Sequence, residues 1–330
     1  MKKIPNTFGI EATADEFICI ADESSLVALL ASGRLKERPY MIVGAASNIV
    51  FTRPFDGTVL HMDNRGIEYL GECDDGSLLV RAAAGENWDG FVRHCASHGW
   101  HGLENLAAIP GTVGAAPVQN VGAYGSEAKD VVAEVTAYDI AEGKRRLFSA
   151  SDCQFAYRDS LFKHHPGRYI VTDVTFRLSP HFSPKTEYKA LADALSSKGI
   201  TQPSAEQTIE TLTELRWSKL PRPEETGSAG SFFKNPVVGE TQYKELAARY
   251  PDIVAHRTAE GYKLAAGWLI EHAGWKGRDM GRCGVYDKQA LVLVNLGGCT
   301  GKEVVTLAHA IVCDIKEKYG VELTPEAIIV

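Results

Sequence analysis

Residues 102–125, GLENLAAIPGTVGAAPVQNVGAYG, contain five glycines, five alanines and no lysine or arginine. A segment of this composition turns sharply and lets the backbone come close to something large. Successive N–H groups presented by such turns make a concave anion site that needs no cationic side chain. A cofactor pyrophosphate is a natural guest, although a Gly/Ala-rich loop between core elements has the same composition. A second stretch of this kind is Gly44-Ala45-Ala46-Ser47-Asn48, where a tight turn would add a hydroxyl and an amide to its N–H groups.

Three separated polar groups could do chemistry beside an anion. Arg158, in Tyr157-Arg158-Asp159-Ser160, carries a planar, permanent cation suited to a bidentate grip on a carboxylate. A surface pair with Asp159 is the plainer use of the same residue. Ser231 lies in GSAGSFFKNP, residues 227–236, and can give up a proton only with help from a neighbouring cation or water. A turn or cap serine is its commoner fate. Glu326, in Leu323-Thr324-Pro325-Glu326, reads by itself as a solvated tail carboxylate.

Other groupings carry less. His94, His98 and His101, with Cys95, have metal-like spacing, but no acidic third ligand is evident and no metal is expected. Histidines near a helix C-terminus also suit the helix dipole. GGCTGKE, residues 297–303, mimics a phosphate-binding loop but has Leu296 where the first glycine is required and Glu303 in place of Ser or Thr. There is no G-x-S-x-G, which disfavours a hydrolase nucleophile. The absence of G-x-G-x-x-G disfavours a Rossmann fold.

The elements that must position these residues are mixed. Strands are expected at Tyr40–Val43, 57–62, 77–83 and Tyr169–Leu178, with a hairpin of 131–140 and Lys144–Ser149 around Glu142-Gly143. Helices are expected at 88–98 (ended by Gly99), 204–215 (capped by Ser204), 242–250, 264–273 and 302–318, with a strand at 289–295. The segment 221–226, PRPEET, reads as a linker or rim loop. Periodicity alone thus gives an α+β chain.

At 330 residues, 45% apolar and 23% charged, the chain has room for two or three globular domains. A formal charge of −7 argues against a general nucleic-acid or membrane-surface role, so an anionic ligand needs a local basic pocket. The opening MKKIPNTFGI has no apolar stretch behind its lysines, and the longest apolar run near the end, 290–294, is too short to span a membrane. A cytosolic location is expected. Seven scattered cysteines without a Cys-x-x-Cys predict reduced, mostly buried thiols.

The segment IPGTVGAAPVQNVGAYG resembles the flavin-pyrophosphate loop of the UDP-N-acetylenolpyruvoylglucosamine reductase family. YRDSLFK, GSAGSFFKN and the Pro-Glu near the end extend the likeness over nearly the whole chain, from Asn6 to Glu326. The resemblance implies an FAD-binding fold of the vanillyl-alcohol-oxidase/PCMH type over residues 1–200, in two α+β subdomains divided near 65–70. An α/β substrate-binding domain would follow over 201–330, its far end returning to the active site. It implies non-covalent FAD, NADPH as reductant, and UDP-N-acetylglucosamine enolpyruvate as substrate, in a monomer without nucleic-acid or membrane partners.

Carried onto matching positions, the resemblance makes Arg158, Ser231 and Glu326 catalytic, with Ser231 the proton donor and the other two steadying the intermediate. Gly44, Ala45, Ala46, Ser47 and Asn48 would bind cofactor, as would Pro110, Gly111, Gly114, Ala115 and Ala116, and then Asn120, Gly122 and Ala123. Tyr157, Tyr188, Lys219, Asn235 and Gln289 would bind substrate, with Tyr188 on the closing loop of the type I branch. Tyr188 and Lys219 also suit an exposed loop and a helix end. The family's loop before Ser-Asn has a glycine triplet, and Ala45 and Ala46 replace two of its members. Two rivals remain: an oxidase of a hydroxy acid or sugar on the same fold, and a non-catalytic nucleotide-sugar sensor.

Overall fold

A computed structural model describes residues 1–330, which form two compact units. The first comprises 1–2, 14–45 and 56–216; the second comprises 3–13, 46–55 and 217–330. The chain therefore passes between units inside the Gly44–Asn48 stretch, between Ala45 and Ala46, and again within helix Ala205–Lys219. The expected cut at 200/201 lies ahead of that helix, and the two early insertions into the second unit carry no compositional signal.

The first unit holds two main sheets and a two-stranded ribbon of Gly122–Ala123 with Ser126–Glu127. Thr13–Ile20, Phe55–Met62 and Tyr40–Val43 lie in that order, the last two parallel. The larger sheet is antiparallel and runs Lys144–Ser149, Val132–Asp139, Tyr169–Leu178, Leu78–Ala83, Ile67–Glu72. The expected hairpin is present, with Asp139 opposite Lys144 and Gly143 in the left-handed region at φ +67°. Helix Trp88–Ser97 starts on Asn87, whose side chain accepts from the Gly90 N–H, and buries Trp88, Phe91, Val92 and Cys95, with the Trp88 and Phe91 rings against Phe176. That apolar face at i, i+3, i+4 and i+7 is what secures the helix against the sheet.

The second unit has a sheet in the order Ser228–Ser231, Val292–Asn295, Cys283–Val285, Asp279–Met280, and a three-stranded sheet of Val237–Val238, Gly261–Leu264 and Ala255–Thr258. Phe232, Phe233, Leu269, Ile270, Leu307 and Ile311 are at most 1% exposed at the centre of its core. The expected strand 289–295 begins only at Val292, which leaves Gln289 in the preceding loop.

Helix Gly301–Tyr319 explains the GGCTGKE stretch. Thr300 and Glu303 form a capping box, and Gly320 closes the helix at φ +66°. Arg282 donates Nε and Nη2 to the Glu303 carboxylate at 3.0 Å each, and these bonds hold its pKa at about 2. Glu303 is depressed from about 4.3 in the unfolded chain, so its stabilisation is present above that value and is lost as pH falls towards 2. Glu303→Gln should therefore lower stability at neutral pH and flatten the acid limb of a melting-temperature profile below pH 4.

All seven cysteines are unpaired; four are buried, and burial pushes the Cys153 and Cys299 thiols up to about 12. No helix is long and apolar enough to cross a membrane.

Candidate active site

In the first unit the glycine-rich stretch is a sequence of tight turns, including 3-10 turns at Glu104–Leu106 and Val113–Ala115. The N–H groups of Val113, Gly114, Ala115 and Ala116 bond to the carbonyls of Glu86, Ala84, Thr112 and Val113 at 2.9–3.2 Å. The turns thus consume the donors at those four positions. What the stretch offers instead is close approach. A Cβ on Gly114 would lie 3.0 Å from Ala84 Cα, and one on Gly44 would lie 3.1 Å from Thr112 Cγ2 and closer still to its hydroxyl. The Gly44 turn and the 112–116 turn therefore touch through a glycine, without a charged residue between them. An extended, flat cofactor lying along backbone fits this uncharged cradle.

Gly44→Ala should then prise the two turns apart. The expected outcome is lower FAD retention on dilution and a lower melting temperature, both partly restored by Thr112→Ala, which clears Oγ1 and Cγ2.

Ala46 adopts φ +45° and is 5% exposed. It thus takes a left-handed conformation that favours glycine, at a cost of about 1–2 kcal/mol. The added entropy of glycine in the unfolded chain offsets part of any relief. Ala46→Gly should therefore raise stability, by up to about 1 kcal/mol, measurable by denaturant titration.

Arg158 is also left-handed, at φ +54°, on the turn closed by mutual backbone bonds between Ala156 and Asp159. Its Nη2 donates to Gly122 O at 2.6 Å and its Nη1 to Asn120 O at 3.4 Å, so the guanidinium rests on the glycine-rich stretch. Asp159 bonds His164 at 2.7 Å. Tyr157 packs under Arg158, ring centroid to guanidinium 5.4 Å. Tyr188 is exposed and meets Tyr124 edge-on at 5.4 Å. The sequence reading missed Lys163, whose Nζ donates to Arg158 O at 2.9 Å, although it lies in the quoted YRDSLFK. It also missed Arg216, because helix Ala205–Lys219 runs four residues past the expected end at 215. Burial lowers the Arg216 guanidinium pKa, while Tyr124 and Asp89 act in the opposite sense. Six non-glycine residues have positive φ, and five of them, Ala46, Ala108, Asn120, Tyr124 and Arg158, lie in these segments. Such strain persists where the surroundings over-determine the backbone, as they do at functional sites.

In the second unit the Ser228–Ser231 strand breaks register between its first and last residues, with Gly230 at φ +69°. A bulge of this kind re-aims the side chain that follows, here Ser231. The segment 323–327 runs antiparallel alongside it: Glu326 N donates to Phe232 O at 2.7 Å, and Lys234 N to Thr324 O at 2.9 Å. Ser231 and Glu326 are thereby brought to neighbouring backbone positions. Asn48 joins them, donating Nδ2 to Glu326 O at 3.1 Å. The strands Ile49–Val50 and Ile328–Ile329 pair in parallel just beyond. Asn235 and Gln289 each lie near the start of helix Ala266–His272. Asn235 Oδ1 accepts from Ala266 N, and Gln289 Oε1 would lie 3.3 Å from a Cβ on Gly267. Lys219 is exposed at the end of its helix.

The histidine cluster divides. His94 and His98 stack at 4.1 Å, whereas His101 bonds Glu104 at 2.8 Å, a carboxylate the sequence reading passed over. No group of three or more His, Cys, Asp or Glu is arranged to hold a metal ion. A cavity of about 340 Å³ in the first unit includes Arg65, Arg81, Arg145 and Asp173, but none of the expected site residues lines it.

Comparison with known proteins adds names to this geometry. Residues 14–148 match the family model of an FAD binding domain. Residues 222–330 match the C-terminal domain of UDP-N-acetylenolpyruvoylglucosamine reductase. Reductases of that name from Pseudomonas putida and Bordetella pertussis are 46% and 44% identical, over 97% and 98% of this chain and 95% and 92% of theirs. The crystal structure of the Thermus caldophilus reductase shares the fold with a TM-score of 0.65 at 23% identity, covering 98% of this chain and 95% of the other. A solvent-stable cholesterol oxidase is alike in fold at a TM-score of 0.51 and 12% identity, over 98% of this chain and 86% of its own. Identity of this degree along essentially the full length of the relatives, with both domain matches in the same order, makes this chain a member of the UDP-N-acetylenolpyruvoylglucosamine reductase family.

Proposed function

We propose that this chain reduces UDP-N-acetylglucosamine enolpyruvate to UDP-N-acetylmuramate, a precursor of peptidoglycan, as a cytoplasmic monomer using non-covalent FAD and NADPH. The observation that carries the reading is the pairing of 232–234 with 324–326, which sets Ser231 beside Glu326 in a domain that matches this reductase family. The loops 44–48 and 110–116, with Gly122 and Ala123, would hold the flavin, as the glycine contacts of the first two support. Bound FAD would supply to the substrate the hydride it receives from NADPH.

The protein's own part is charge and proton handling. Hydride added to the methylene carbon of an enolpyruvyl ether drives negative charge into the substrate carboxylate. Arg158 would grip that carboxylate as a fork, and Glu326 would help hold the intermediate in place. Ser231 would deliver a proton to the ether-bearing carbon and recover one from solvent, which completes the addition across the double bond. Tyr157, Tyr188, Lys219, Asn235 and Gln289 would hold the diphosphate and sugar, and the exposed Tyr188 suits a loop that closes over the nucleotide.

The deciding experiment is an anaerobic visible spectrum of the purified protein. One equivalent of NADPH should bleach the flavin band, and UDP-N-acetylglucosamine enolpyruvate should restore it. A band that returns only with air would indicate an oxidase, and a protein that takes up no FAD would defeat the reading.

A further inference from the structure

We propose that Asn120 is a positioning residue for Arg158, locking the turn that carries the guanidinium to the glycine-rich stretch. The proposal rests on the reading of Arg158 as the carboxylate-gripping cation. The family resemblance groups Asn120 with the cofactor-binding residues, but its side chain is spent inside the first unit. The residue is 0% exposed. Its Nδ2 donates to Ala156 O and to Glu127 Oε2, both at 2.9 Å, and its Oδ1 accepts from Lys129 N at 2.9 Å. Three of the four hydrogen bonds an amide can make are thus filled from three directions.

Ala156 opens the turn that holds Tyr157 and Arg158, so one of these bonds seats the turn itself. The Asn120 carbonyl, with that of Gly122, seats the guanidinium at the other end of the same residue. The start of the turn and the Arg158 guanidinium are therefore both held by one short segment, 120–122. Asparagine is suited to this task, because it tolerates the left-handed φ of +46° observed at position 120 while offering two donors. A second tie, from the Ser160 hydroxyl to Val118 O, binds the far side of the turn to the same stretch. Because Arg158 is itself left-handed, a turn released from these ties would relax towards ordinary backbone angles and carry the guanidinium away. The consequence is specific: loss of the Asn120 amide should act on the step that needs Arg158 and leave flavin binding and its reduction alone.

The test is a double-mutant cycle on the FAD-loaded enzyme. Asn120→Asp keeps the shape and the acceptor for Lys129 N but removes both donors. It should slow reoxidation of NADPH-reduced flavin by the enolpyruvyl substrate at least tenfold, with FAD content and the rate of reduction by NADPH within twofold of wild type. In an Arg158→Met background the same substitution should cost less than twofold, because Asn120 acts through Arg158. Equal slowing of both half-reactions, or an undiminished penalty in that background, would overturn the proposal. Harmless Asn120→Asp beside a damaging Arg158→Met would sink this inference and spare the reading of the site. A harmless Arg158→Met would sink the reading of Arg158 and the inference with it. Asn120→Gly, which relieves the backbone and deletes the amide, carries the same cycle if the aspartate variant misfolds. Failure of both to fold would mark Asn120 as a folding residue and count against it.

Discussion

Ser231→Ala should separate the two half-reactions of the flavin. Reduction by NADPH is expected to proceed within about twofold of the wild-type rate, since no proton has to reach a substrate carbon in that step. Reoxidation by the enolpyruvyl substrate should slow by about a hundredfold or more, the range in which positioned proton donors contribute. The local structure argues that the loss will be chemical. Ser231 ends a strand whose backbone is fixed by Phe232 N on Leu291 O at 2.7 Å and Glu326 N on Phe232 O at 2.7 Å, and neither bond involves the hydroxyl. The melting temperature should therefore move little. Anaerobic stopped-flow at the flavin band follows both steps in one sample. Equal damage to both would remove Ser231 from the proton-donor role. Gly230→Ala, which would force a side chain into φ +69° at the bulge, should reproduce much of the kinetic loss with Ser231 still present.

Legibility followed contiguity. The glycine-rich stretch, YRDSLFK and GSAGSFFKN are short runs whose residues act next to one another, so they could be picked out one by one. Family likeness, not periodicity, gave those residues their roles. What stayed hidden depends on distant partners. Asn120 reads as a cofactor residue because its partner Ala156 lies 36 positions away, and Asn48 reaches Glu326 across 278. The need for a left-handed residue at Ala46 and Arg158 is invisible in the letters, since neither type announces it. Helix Ala205–Lys219 overran its expected end because Arg-Trp-Ser-Lys breaks the apolar period by which the end was placed. The pairing of the 113–116 N–H groups is hidden for a related reason: glycine permits a cradle, but neighbouring carbonyls decide whether its donors are spent.

Gly301→Ala should be the most damaging of the small substitutions away from the reacting groups. A Cβ there would lie 2.5 Å from the Phe51 carbonyl carbon and 2.9 Å from Thr52 Cα, and closer still to Phe51 O. These are backbone atoms, so no side chain can swing aside. Alanine at a helix start is otherwise slightly favourable, worth up to about 1 kcal/mol over glycine, whereas overpacking against a fixed wall costs about 1–3 kcal/mol. The clash wins, and a net loss of about 2 kcal/mol is expected. Gly239→Ala, at the cap of helix Glu240–Arg249 with no atom within 4 Å of the added carbon, is the matched control and should be near neutral. The damage should also reach the site. Phe51 follows the strand Ile49–Val50 that pairs with Ile328–Ile329, and Thr52 bonds Val330 O through both N–H and hydroxyl. Displacing Phe51 therefore loosens both chains that carry Asn48 and Glu326. Substrate-driven reoxidation should fall in Gly301→Ala at temperatures where the protein is still folded, and an unchanged rate there would show that this pairing does not hold Glu326 in place.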